Sequence, residues 1–158
     1  MKKIKQILNH IFIDGLSGMA LGLFATLIVG TILEQVGKYV SMLHGGAGSF
    51  IIMCAGVAKA LTGAGIGVGV ACKFKQPPLV TVSAAVAGMV GAFASKLIAG
   101  TVTATAGVIS LAGPGEPLGA FIAVMVAIEV GRLVAGKTGL DILLTPVVTI
   151  ASGCVAGL

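Results

Sequence analysis

Tryptophan is absent from this 158-residue chain, tyrosine occurs once, and aromatic side chains make up only 4% of it. Any aromatic belt marking a membrane–water interface is therefore weak. Charge is equally scarce. Ten Lys and Arg and five Asp and Glu amount to 9% of the residues, where a soluble domain carries about 25%. So few charges cannot cover a compact soluble domain, which excludes an ordinary soluble enzyme. Cysteine is limited to Cys54, Cys72 and Cys154. The number is odd, no Cys-x-x-Cys pair occurs, and neither His10 nor His44 stands at metal-ligand spacing from them. They read as small buried hydrophobes. No Ser-His-Asp set and no carboxylate pair at hydrolytic spacing is present. The chain is expected to be no enzyme and to need no metal or cofactor. No cleavable leader is expected either, because Asn9, His10 and Asp14 interrupt the stretch that follows the basic start.

What the chain has is apolarity: 57% hydrophobic residues, a mean hydropathy of +1.14 and 25 glycines. These values exclude a disordered chain and point to an all-α polytopic integral membrane protein, a single membrane domain over 1–158. Small residues let transmembrane helices approach closely. Uncharged runs predict four to five transmembrane helices, at about 15–35, 47–72, 79–99, 118–135 and 141–158, with glycine-broken or re-entrant segments. The net charge of +5 reads as orientation against an anionic inner leaflet rather than as a nucleic-acid surface. With the N-terminus in the cytoplasm, Lys2, Lys3, Lys5, Lys73, Lys75, Arg132 and Lys137 fall inside and Lys38 alone outside. A separate crossing at 97–113 would move Arg132 and Lys137 outside and is disfavoured. That stretch reads as the end of span three plus a re-entrant or outer loop, in which alternating Thr101, Thr103 and Thr105 suit extended backbone.

Four glycines at spacing two, Gly63, Gly65, Gly67 and Gly69, make a poor isolated helix. They fail the dinucleotide fingerprint and carry no Walker Lys-Ser/Thr pair. One reading is close helix packing. The other is a broken helix whose freed backbone groups line a solute cavity. Lys59 falls inside span two, where an ammonium costs at least about 2.5–3.5 kcal/mol. Glu129 in span four is the expected partner, while Asp14 and Glu34 read as interfacial. Lys96 reads as snorkelling, and His10 and His44 as polar residues flanking span one, with His44 able to meet ligand at the outer mouth. Gly113–Gly119 reads as a helix start, with Pro117 in the first turn and Glu116 favoured by the helix dipole. Glu116 is also placed to meet sugar hydroxyls. Ala84, Gly88 and Ala92 form a packing face.

The run from Asn9 to Gln35 resembles the opening of the membrane IIC-like proteins of the phosphotransferase system, in the group that includes the perfringolysin O regulator (PfoR). Gly63–Val70, Pro77-Pro78-Leu79, Pro117–Ile122 and Asp141–Pro146 are similar too, so the likeness extends along essentially the whole chain. The resemblance implies an integral membrane component of sugar transport, corresponding to the N-terminal half of a longer protein. It implies separate IIA and IIB proteins bearing the phosphorylated His or Cys, and no phosphorylation site is carried over to this chain. Gly113–Pro117 keeps the Gly, Glu and Pro of a sugar-binding Gly-Ile-Thr-Glu-Pro-like motif, which implies a sugar contact for Glu116. Gly63–Val70 also looks like the glycine-rich helix of rotary ATPase proteolipids, with Glu129 as the proton carrier. That likeness covers under ten residues and ranks lower, because the run does not recur and Lys59 shares its span.

The expected function is a IIC-like permease component of the cell membrane, binding and translocating a small polar solute. Lys59, Glu116, Glu129, His44, Gly65 and Gly67 are the expected substrate-binding residues. Its expected partners are the lipid bilayer, the solute, and either a second copy or a missing C-terminal half, with no nucleic acid. The alternatives are a non-transporting regulator or sensor and, less favoured, a proteolipid-like ring subunit.

Overall fold

A long helix, α1, spans His10–Leu43, about 51 Å at 1.5 Å per residue. It does not stop at its first charges. Glu34 and Lys38 stand one turn apart and pair along the helix, which supports helix rather than ending it. The end comes where His44 leaves helical geometry, at φ −144° and ψ 88°, ahead of Gly45 and Gly46. Two stretches of α1, His10–Gly15 and Phe24–Ile28, are π-helical. The chain continues as α2 (Gly45–Ala60), α3 (Thr62–Lys73), α4 (Pro78–Ala92) and a short α5 (Ala94–Ile98). A ribbon follows, β1 (Ala104–Thr105) and β2 (Val108–Ile109), and then α6 (Pro117–Val134) and α7 (Asp141–Gly157). This computed structural model describes residues 9–102, 104–105, 108–111, 113–137 and 139–158. Lys2, Lys3, Lys5 and Thr103, on which orientation and strand character were argued, lie outside them.

α1 runs antiparallel to α2 and α3 along a line of small residues. Gly18 meets the backbone of Gly69 and Val70, and Gly22 meets Gly65 and Ile66. Thr26 lies against Gly65, Gly30 against Ala55 and Lys59, and Gly37 and Ser41 against Gly48. α2 and α3 meet at Leu61 with a bend of 54°. Close packing continues on both sides of that bend, and the π-helical Phe24–Ile28 of α1 lies beside it, with Thr26 against Gly65. The glycine run 63–69 is therefore continuous helix, and the break precedes it at Leu61. Its glycines serve close packing on two sides at once. Gly65 and Gly69 face α1, while Gly63 and Gly67 face Gly88 and Ala84 of α4.

Two regions result. The body is the N-terminal half of α1 with α3, α4, α6 and α7. Ile66, Val70, Val80, Phe93, Val124 and Ile128 fill its interior. The expected face Ala84, Gly88 and Ala92 lies within it, where Gly115, at φ +70°, also packs on Ala92. The second region is an arm, Val29–Leu43 of α1 with α2, whose two helices pack mainly on each other. Its buried positions are Gly30, Gly37, Gly48 and Ala55. Large apolar side chains such as Ile32, Val36, Phe50 and Met53 point outward.

Several expectations change. Two helices are long and apolar enough to cross a membrane, His10–Leu43 and Pro117–Val134, or three if the bent pair Gly45–Ala60 and Thr62–Lys73 is one span. Four to five were expected. The expected spans at 79–99 and 141–158 appear as the shorter apolar helices Pro78–Ala92 and Asp141–Gly157. An uncharged run counts residues without regard to backbone direction: α4 ends at Phe93, where φ reaches −112°. Cys54 and Cys72 are exposed and Cys154 half-buried, so the cysteines sit on the apolar outside rather than in the core. The loop after α5 does hold extended backbone, with Ala104 opposite Ile109 and Thr105 opposite Val108.

Candidate functional site

The level at which the arm leaves the body holds an ion-paired centre. Glu34 occupies a place in the small-residue line of α1, four residues after Gly30 and three before Gly37. It therefore faces α2. There Lys59 Nζ donates to Glu34 Oε2 at 2.5 Å. Glu34 Oε1 lies 2.9 Å from Lys38 Nζ. The Lys59 and Glu34 side chains keep about a quarter of their surface exposed, 25% and 24%, and Lys38 keeps 51%. Lys59 sits in the last turn of α2, where a cation suits the helix dipole. Gly30 makes the approach possible, because a Cβ there would meet the Lys59 stem.

Hydroxyls line the inner side of the same break. Thr62, fully buried, donates to the Lys59 carbonyl at 2.6 Å. Thr26 donates to the Gly22 carbonyl at 2.7 Å, and its oxygen lies 3.5 Å from that of Thr62. Such back-bonding to the preceding turn satisfies a hydroxyl in apolar surroundings and bends the helix that carries it. The centre thus couples a helix break, a partly sheltered carboxylate and two ammonium groups.

This corrects two expectations. The partner of Lys59 is Glu34, rather than Glu129. Glu34 lies within a continuous helix rather than at its end. A charge breaks an apolar run on paper, but nothing in a helical backbone requires a stop there. The small-residue spacing Gly18, Gly22, Thr26, Gly30, Glu34, Gly37, Ser41 was the available signal, since it puts Glu34 on the helix-packing side.

Glu129 belongs to a second cluster at the opposite end of the body. It pairs with Arg132 one turn on. Its Oε1 lies 3.4 Å from His10 Nε2, and the two atoms are buried without hydrogen-bond geometry. The His10 ring stacks on Phe74, with centroids 4.0 Å apart. The start of α1, the α3–α4 link and the end of α6 therefore meet at one end. These are the three segments that charge asymmetry assigns to one membrane face.

The other expected site residues are dispersed. Glu116 precedes α6 in extended geometry, with its N–H donated to the Ala92 carbonyl at 2.7 Å. It therefore lies at the helix start expected from Pro117, and its side chain makes no cap hydrogen bond. His44 is exposed at the tip of the arm, about 22 Å along α2 from Lys59 by helical rise. Gly65 and Gly67 are consumed by packing on Thr26 and Ala84. Lys96 lies over the Phe93 ring, 5.4 Å from its centroid. An open apolar depression of about 430 Å³ lies along α7, lined by Gly139, Leu140, Leu143, Leu144 and Val147. Its walls offer no charged group to recognise a polar solute.

Residues 13–158 match the family model described as "Phosphotransferase system, EIIC". No curated protein and no solved structure matches the chain.

Proposed function

The chain belongs to the phosphotransferase-system EIIC family, and on that footing we propose that it is a membrane permease component that moves a small polar solute past the Glu34–Lys59 centre. The observation that carries this reading is the coincidence of that ion pair with the 54° break at Leu61. Irregular backbone with polar side chains at a helix break is the usual construction of a membrane solute site. Of the residues expected to bind solute, Lys59 stands at this break. Glu116, Glu129 and His44 are assigned no direct contact there.

Transport would proceed as movement of the arm against the body. The chain changes direction by 54° at the Leu61 break, and the π-helical Phe24–Ile28 interrupts the regular winding of α1 beside it. Solute bound at Lys59 would compete with Glu34 for its ammonium, loosening one tie between the helices of the arm. A solute shifts such an equilibrium only as far as it prefers one arrangement over the other. The six-membered residue set expected from the sequence thus contracts to one centre with a hinge.

Uptake into proteoliposomes, measured over a panel of sugars and other small polar solutes, tests the reading. Flux of at least one solute is expected, with Lys59→Gln reducing it about tenfold or more, as loss of a charge-assisted hydrogen bond does. Wild-type flux in Lys59→Gln would remove the site. Retained solute binding without any flux would favour a membrane regulator or sensor instead.

A further inference from the structure

The centre has unequal charge. Glu34 contributes one negative charge, and Lys38 and Lys59 contribute two positive ones. A net positive charge remains at the centre. An ammonium has three donors. Lys59 uses one on Glu34, and the Lys38 contact is also to Glu34. No second carboxylate approaches either lysine among the described residues. The carboxylate between them is already engaged through both oxygens, so a neutral solute would leave the imbalance in place.

Depth points the same way. Gly63, next to the fully buried Thr62, packs on Gly88 and Ala92, where α4 ends. α4 and α6 have 15 and 18 residues, about 22 and 27 Å by helical rise. The body is therefore close to the ~30 Å thickness of a hydrocarbon core. Lys59 stands near one end of it, where the headgroups of a bilayer matched in thickness to the body would lie.

We propose that Lys38 and Lys59, held apart by Glu34, form a binding site for an anionic group, a phosphate or carboxylate. This deepens the transport reading by naming the class of ligand for the same centre. Two sources share that chemistry: an anionic lipid headgroup at the body's outer edge and an anionic solute from water. The ligand's oxygens would take the unused ammonium donors and cancel the excess charge. Glu34 then tunes affinity, since it competes with the ligand for both lysines.

The test uses the full chain in nanodiscs. Binding of inorganic phosphate is measured by equilibrium dialysis in phosphatidylcholine discs. Retention of phosphatidylglycerol is measured by native mass spectrometry from mixed discs. Tyr39, next to Lys38 and the sole tyrosine in a chain without tryptophan, reports binding through its fluorescence. Saturable binding of at least one probe is expected, weakened about tenfold in Lys59→Gln and tightened in Glu34→Gln. Phosphate alone identifies a solute site, phosphatidylglycerol alone a lipid site, and either supports the proposal. A pair that is only structural would show no tightening in Glu34→Gln. That result, or the absence of binding by both probes, overturns the proposal. Flux of a neutral sugar without anion binding would overturn it while leaving the transport reading intact. Anion binding without flux would do the reverse.

Discussion

The body and the arm use the same small-residue contact in different settings. In the body, glycines of α1 and α3 bring backbones together, and behind them Ile66, Val70, Val124 and Ile128 are fully buried. In the arm, the glycines of α1 meet α2 directly, and no layer of large side chains lies behind either helix. Tight backbone contact thus accompanies a filled core in one region and stands almost alone in the other. Where it stands alone, the ion pair between Lys59 and Glu34 is the polar tie across the interface. The body is built to hold one arrangement. The arm is held by fewer interactions and is the region suited to move.

The largest effect should come from breaking the body. A Cβ at Gly67 would run into the backbone of Ala84, and neither helix can retreat without opening the core. Gly67→Val is expected to destabilise by about 1–3 kcal/mol or more, read from denaturant-titrated unfolding in mixed micelles. An unchanged midpoint would mean that the body is looser than its packing implies.

A smaller, localised effect should follow from cutting the tie in the arm. Lys59→Gln is expected to raise amide hydrogen exchange several-fold across Gly45–Ala60 while α4 keeps its protection. The double variant Glu34→Gln with Lys59→Gln should recover part of the loss, because the carboxylate no longer faces a lost ammonium and the one charge left without its partner, Lys38, is half-exposed. Equal loosening of arm and body would erase the distinction between them.

The smallest effect is a gain. Gly56 lies in α2 with open space where a Cβ would go. Gly56→Ala should stabilise by up to about 1 kcal/mol through helix propensity alone, by the same unfolding measurement. Destabilisation instead would mean that this outer face of the arm is covered by another protein surface.

Much of this arrangement was legible in the residues. Pro117 marks the start of α6, and Ala84, Gly88 and Ala92 mark a packing face. The clustering of His10, Phe74, Glu129 and Arg132 at one end agrees with the charge asymmetry. The helical continuity of Gly63–Gly69 was less legible. Glycine propensity argues against helix in isolation, but two neighbouring backbones here supply contacts that only glycine allows. The partner of Lys59 was misread for a related reason. Place in an apolar run sets where a charge stands along the chain, and Glu34 stands at the edge of one.

The sequence by itself determined the class of the protein: an apolar, glycine-rich helical chain with too few charges for a soluble surface, whose residues 13–158 carry the EIIC family pattern. Those properties follow from composition and from order along the chain. Tertiary structure alone decided which helices are neighbours. It placed α2 and α3 against a single long α1, brought Glu34 to Lys59 across 25 residues, and put Glu129 at the other end of the body with Arg132 and His10. An ion pair depends on distance in space: spacing along one helix tells which face packs, while the residue met on that face is set by the helix that returns beside it.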